Sequence, residues 1–173
     1  MRRLVPALVL LLAAALLAAC AGFDPQELDP RTGSAVKLIR DDPGGDLLAY
    51  EDRFRRWARD GARAKVDGLC ASACTLVLAH LPADRVCLTG RARFGFHSAR
   101  LAGHYQVASL DRRAVGAVAD LASLEMYLRY PDWLRREIDR HSHRWDRDGM
   151  LPPANDLLVL DGRRFRAHGH PSC

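Results

Sequence analysis

Three short stretches hold residue types that do chemistry: Pro43-Gly44-Gly45, Cys70-Ala71-Ser72-Ala73-Cys74 and Gly95-Phe96-His97-Ser98. A serine hydroxyl is a weak nucleophile until a base takes its proton, and imidazole suits that task near neutral pH. Ser72 stands among small residues where an apolar strand gives way to an apolar helix, at the positive end of that helix and open to a substrate. His97 follows an apolar strand, placed to act as base toward the Ser72 hydroxyl. Paired glycines after a strand let backbone N–H groups face a ligand with no side chain in the way. Each stretch also has an ordinary use. Pro-Gly-Gly is a common turn, a serine at a helix start commonly caps it, and a histidine after a strand is commonly a hydrogen-bonded structural residue.

The elements that must position these residues are legible from periodicity. Ala35 to Ile39 reads as a strand, and Asp41 to Gly45 as a turn. From Asp46 to Asp60, Leu47, Tyr50, Phe54, Trp57 and Ala58 recur at helical spacing until Gly61 stops the helix. Ala64 to Leu69 is a strand, Ser72 to Leu81 a buried helix, and Arg85–Thr89 and Arg93–Phe96 two further strands. A long helix is expected over Gln106–Arg129, with Val107, Leu110, Ala114, Val118, Leu121 and Leu128 forming its apolar stripe. Pro131 starts a second helix carrying Trp133, Leu134 and Ile138. Asp156 to Leu160 is a last strand, and Asp161 caps a final helical turn ended by Gly169. Alternating strands and helices predict an α/β fold with a parallel core and a helical insert at 106–145.

In order and spacing, these stretches resemble the proteolytic subunit of the Clp protease and its wider crotonase-like superfamily. The resemblance runs from about Val36 to Ser98, with 25 residues from Ser72 to His97 to hold a helix and two strands. The Cys-Ala-Ser-Ala-Cys-Thr and Gly-Phe-His stretches also look like those of small exported bacterial proteins of this fold. The resemblance implies Ser72 as nucleophile, His97 as general base, and the amides of Gly45 and Ala73 as an oxyanion hole. It implies a third, orienting acid shortly before a final helix ended by glycine. That is Asp156, with Asp148 and Asp146 as rivals. A Ser–Lys mechanism is disfavoured, because Lys37 and Lys65 both precede the serine on expected strands. The chain departs from the family at its start. Only about fifteen residues lie between Cys20 and the first strand, where the Clp-like fold has a further strand–helix unit. A sheet so shortened exposes one edge, which invites a partner or a second copy of the chain. No unfoldase docking site is recognisable, which argues against processive degradation.

The N-terminus says where such chemistry would happen. Met1-Arg2-Arg3 precedes an uncharged apolar run, Leu4 to Ala19, that ends in Leu17-Ala18-Ala19-Cys20. The run has the length of a signal-peptide core and is short for a spanning helix. Its end resembles the bacterial lipobox, which implies cleavage before Cys20 and a lipid on its sulfur. The expected organisation is a signal peptide at 1–19, a lipidated cysteine and tether at 20–34, and one α/β domain at 35–173. The implied location is the cell envelope, with the lipid anchor in a membrane and the domain facing the periplasm. Ala21 lacks the aspartate retention signal, which favours the outer membrane where that sorting rule applies.

Composition narrows the partners. The chain carries a formal net charge of +5, but its acids and arginines are interspersed, and no basic block suggests nucleic acid. After lipidation, Cys70, Cys74, Cys87 and Cys173 remain, and an oxidising compartment permits disulfides in any of three full pairings. Cys70 and Cys74 lack a second Cys/His pair at zinc spacing, so no metal or other cofactor is expected. His141 and His143 read as solvated, and His168 and His170 have no acid partner in sequence. Three functions compete. One is an envelope serine hydrolase, peptidase-like, acting on a peptide or protein. Another is a catalytically inactive lipoprotein of the same fold that serves as a binding or assembly module. The last and weakest is acyl-thioester chemistry, since no basic cluster suggests the phosphates of coenzyme A. Fold alone does not separate them.

Overall fold

The computed structural model describes residues 28–30, 32–99, 112–141 and 156–173. The lipobox and its Cys20, the rival acids Asp146 and Asp148, and His143 lie outside the described residues. The described chain is a mixed α/β fold. Strand β1 (Val36–Asp42) leads to helix α1 (Leu47–Arg59), then to the long strand β2 (Arg63–Ala71). A 3-10 turn, Ser72–Leu76, runs into α2 (Val77–His80). Strands β3 (Val86–Leu88) and β4 (Arg93–Phe96) follow, then helices α3 (Arg112–Arg129) and α4 (Asp132–Asp139). Strand β5 (Leu158–Asp161) and helix α5 (Gly162–Arg166) end the order.

β2 organises the five-stranded sheet, whose order is β1-β2-β4-β5. β1 pairs with β2 in parallel along most of its length, and β3 and β4 lie one after the other along its opposite edge. The parallel core matches expectation, but β5 does not belong to it. It runs antiparallel to β4, with Phe94 opposite Leu160 and Phe96 opposite Leu158. β5 begins beside the end of β4, Leu158 opposite Phe96, so the strand that closes this edge runs reversed.

Inward residues of β2 alternate with half-covered ones. Ala64, Val66 and Cys70 are fully buried, whereas Arg63, Lys65 and Asp67 are only partly covered. Against this sheet pack Phe54 of α1, Leu76 and Val77 after β2, Phe94 and Phe96 of β4, Leu134 and Ile138 of α4, and Phe165 of α5. The helix boundaries follow local chemistry. Asp46 caps α1 by accepting from the Ala49 amide at 2.9 Å, and Asp161 caps α5 by accepting from the Arg163 amide at 2.8 Å.

Two elements carry detail beyond the sequence reading. The run after Ser72 is not one α-helix; its first turn is wound as 3-10 and only the remainder is α. In its described part, the apolar stripe of α3 lies away from the core. Val118, Leu121 and Leu128 are about half exposed or more, while Ser123, Met126 and Tyr130 turn inward. Val107 and Leu110 lie outside the described residues.

The four cysteines form two disulfides, Cys70–Cys74 and Cys87–Cys173, with Cα separations of 5.4 and 5.0 Å. The second ties β3 to the C-terminal residues, which also exchange backbone bonds with Leu88 (Leu88 N–H to Pro171 O at 2.8 Å, Cys173 N–H to Leu88 O at 3.2 Å). His168 stacks on Trp133 at 3.9 Å. His170 donates from Nδ1 to the Val86 carbonyl, and its burial lowers its pKa. Both C-terminal histidines are thus packing residues of this corner.

Candidate active site

The three stretches meet at one end of the parallel strands. β1 ends at Asp42 just before Pro43, β2 ends at Ala71 just before Ser72, and β4 ends at Phe96 just before His97. Parallel strands in register deliver their following loops to a common edge, where open α/β sheets place ligand sites. A cavity of about 930 Å³ opens there. Its walls include Gly44, Gly45, Ser72, Ala73 and His97, and, from α3, Val118, Leu121, Ala122 and Met126. The outward apolar residues of α3 are therefore accounted for in part: Val118 and Leu121 line this cavity.

Ser72 has φ +55°, a conformation uncommon for a residue with a side chain. Such backbone persists only where surrounding structure enforces it, and it concentrates at functional sites. Three contacts surround it here. The Cys70–Cys74 disulfide brackets the serine symmetrically, two residues on each side. The Thr75 hydroxyl donates to the Ser72 carbonyl at 2.5 Å. Gly44, at φ +84°, lies so close that a Cβ on it would sit 2.7 Å from Ser72 Cβ and 2.9 Å from the Ala73 nitrogen. The Pro-Gly-Gly turn therefore lies directly over the serine turn.

Asp42 shapes that glycine turn. Its Oδ1 accepts from the Gly44 amide at 2.9 Å and from the Tyr50 hydroxyl at 2.5 Å. Burial and the Asp42 bond both raise the Tyr50 pKa, so the phenol stays a donor. With the Gly44 amide engaged by Asp42, the next amide, Gly45, is the one available to the cavity. Ala73 is the first residue after Ser72 in a helical turn, where amides have no intrahelical partner. Among the described residues, neither amide donates to a protein acceptor.

His97 donates from Nδ1 to the carbonyl of Ser98 at 2.7 Å. A carbonyl only accepts, so Nδ1 carries the proton and the neutral ring has its lone pair on Nε2, the tautomer a general base requires. The loop holding His97 is pinned to α3. The Ala99 amide donates to Ser123 Oγ at 2.8 Å, and Ser123 Oγ donates to the Ala119 carbonyl at 2.7 Å. Ser123 leaves no mark in the sequence, because a serine inside a helix has no periodic signature. A buried serine facing the segment after the histidine would have been its only signal.

Asp156 is exposed, and its Oδ1 accepts from the neighbouring Leu157 amide at 2.8 Å. Among the described residues its carboxylate makes no bond to His97. Extending the β4–β5 register places Asp156 opposite Ser98, so its backbone is adjacent while its side chain is engaged locally. Ser72, His97, Gly45 and Ala73 are thus gathered on one cavity, and Asp156 lies beside it without joining them. Among the described residues, no group of three or more His, Cys, Asp and Glu side chains could hold a metal ion, and no helix is long and apolar enough to cross a membrane. No protein-family model matches this chain, and no curated protein matches it.

Proposed function

We propose that this chain is an envelope lipoprotein with a serine hydrolase site, peptidase-like, on a shortened Clp- and crotonase-like α/β core. The observation carrying the proposal is Ser72 at φ +55° beneath the Pro43-Gly44-Gly45 turn, on the same cavity as His97. A capping serine needs no left-handed backbone, whereas an exposed nucleophile on a tight strand-to-helix turn is commonly strained.

In this reading the Ser72 hydroxyl passes its proton to His97 Nε2 as Oγ bonds the carbonyl carbon of the substrate. The carbonyl π pair moves onto oxygen, where the Gly45 and Ala73 amides stabilise it. Collapse breaks the bond to the leaving group, which takes the proton from His97 and leaves an acyl-serine. Water, deprotonated by the same histidine, then releases the acid and restores the hydroxyl.

The test is labelling of the full-length chain in detergent with a fluorophosphonate. The parent labels, Ser72→Ala does not, and His97→Ala slows labelling by about 10²–10⁴-fold. A second reading, a non-catalytic binding module, draws support from the His97 Nδ1 bond to a carbonyl instead of an acid. An unlabelled parent that is folded and oxidised would favour that module. The anchor is tested separately. The chain expressed with its leader should incorporate labelled palmitate, and Cys20→Ala should not; unchanged incorporation would remove the lipoprotein assignment.

A further inference from the structure

A buried relay, formed by two residues that do not line the cavity, reaches the proposed nucleophile turn. The hydroxyls of Thr75 and Tyr130 are 2.6 Å apart, and Thr75 in turn bonds the Ser72 carbonyl at 2.5 Å. A carbonyl cannot donate, so the single Thr75 proton is committed to Ser72, and the proton between the two hydroxyls must come from Tyr130. The direction is therefore fixed: Tyr130 donates to Thr75, and Thr75 donates to Ser72. Thr75 is completely buried and Tyr130 is 2 % exposed, so no bulk water competes for these bonds. Burial also raises the Tyr130 pKa, which keeps the phenol a donor. Phe96, one residue before His97, packs edge-on against the Tyr130 ring at 5.5 Å.

We infer that Thr75 and Tyr130 are positioning residues for the Ser72 nucleophile, holding its backbone in the left-handed conformation through a two-hydroxyl relay. The inference rests on the serine hydrolase reading for its chemical consequence, and on geometry alone for its structural one. Tyr130 lies at the end of α3, the helix whose Val118, Leu121 and Met126 wall the cavity. The relay thus ties the serine turn to the helix a substrate would touch. A local threonine-to-carbonyl bond by itself is a common helix feature. The buried second donor, reaching from a residue 55 positions away, is what makes it a support.

The experiment compares full-length parent, Thr75→Val, Thr75→Ser and Tyr130→Phe in detergent. Each is read by the fluorophosphonate labelling rate, resolved into binding and bond-forming terms, and by the Ser72 φ in crystals. Thr75→Val and Tyr130→Phe should slow bond formation by about 10- to 100-fold with binding unchanged, since small misplacements of a reacting group cost that much. Thr75→Ser restores the hydroxyl and should stay within about threefold of the parent. Crystals of Thr75→Val should show Ser72 out of the positive-φ region. Parental labelling with a positive φ in Thr75→Val would overturn the inference, as would an equal loss in Thr75→Ser, which would mark a packing defect. If the parent itself does not label, the hydrolase reading falls, and the Ser72 φ alone decides the positioning role. Should Thr75→Val not fold, Tyr130→Phe, which removes one oxygen and keeps the ring, carries the same two readouts.

Discussion

Gly44→Ala should abolish fluorophosphonate labelling and lower the unfolding free energy by about 2–5 kcal/mol, the sum of two costs. The first is conformational. Gly44 holds φ +84°, and an L-residue there loses about 1–2 kcal/mol. The second is steric. The added methyl would lie 2.6 Å from the Ala71 carbonyl oxygen, 2.7 Å from Ser72 Cβ and 2.9 Å from the Ala73 nitrogen. Two of these are backbone atoms, so no rotamer change relieves the contact, and overpacking of this kind costs about 1–3 kcal/mol. The loss of labelling is expected to exceed what stability alone explains, because the atoms displaced are those of the proposed nucleophile and oxyanion amide. Gly90→Ala is the control. Nothing lies within 4 Å of its added methyl and its φ is not positive, so its stability should stay within about 0.5 kcal/mol of the parent. Guanidinium unfolding gives the stability and the probe gives the activity. A Gly44→Ala protein that labels like the parent would show that the Pro-Gly-Gly turn does not press on the serine, and the oxyanion assignment to Gly45 would go with it.

The convergence of these turns was readable in the sequence because it depends on order and strand spacing. An apolar strand followed by a small-residue turn can be recognised without knowing what it packs against, and three such turns after three parallel strands meet at one edge. Ser72 and His97 stand out by this route, whereas the oxyanion roles of the Gly45 and Ala73 amides are what the Clp-like resemblance implies. Tertiary features were not. The sign of φ at Ser72 depends on a disulfide, a close glycine and a buried hydroxyl from a residue 55 positions beyond Thr75, none of which periodicity encodes. What the α3 stripe faces is not legible, because an apolar face looks the same in sequence whether it meets the core or walls a cavity. Val118 and Leu121 do the latter. The antiparallel β5 was missed for a related reason: Leu158–Asp161 has strand character in either direction, and only the path of the preceding connection decides which.

Tyr130 shows how such features depend on one another. Sequence spacing places it at a helix end, where an aromatic residue serves packing or a groove equally well. Its hydroxyl meets Thr75 within the 3-10 turn that follows the left-handed serine, so the relay and the turn occur together. Ser123 behaves similarly, since its bond to the Ala99 amide exists only once α3 lies across the histidine loop. The residues that do the proposed chemistry are local in sequence, whereas those that aim them are distant.

Removing the two disulfides should separate stability from function, in opposite order. In the chain-entropy account a crosslink stabilises by restricting the unfolded chain, and the effect grows with the loop it closes. Cys87–Cys173 spans 86 positions and should contribute about 4.5 kcal/mol, whereas Cys70–Cys74 spans 4 and should contribute about 2 kcal/mol. Cys87→Ser/Cys173→Ser should therefore show the larger drop in guanidinium unfolding. Its labelling rate should nevertheless hold while the protein stays folded, because β3 pairs with the first half of β2 and Ser72 follows the other end. Cys70→Ala/Cys74→Ala should lose less stability and slow labelling more, since that bridge encloses the strained serine and both cysteines are fully buried. Equal labelling rates in the two double variants would mean that the short bridge contributes only to packing. The same reasoning bears on location. A chain kept in a reducing compartment would forgo both crosslinks, a loss comparable to the whole net stability of many domains. Both crosslinks need an oxidising compartment to form, which agrees with the export proposed from the sequence before Cys20.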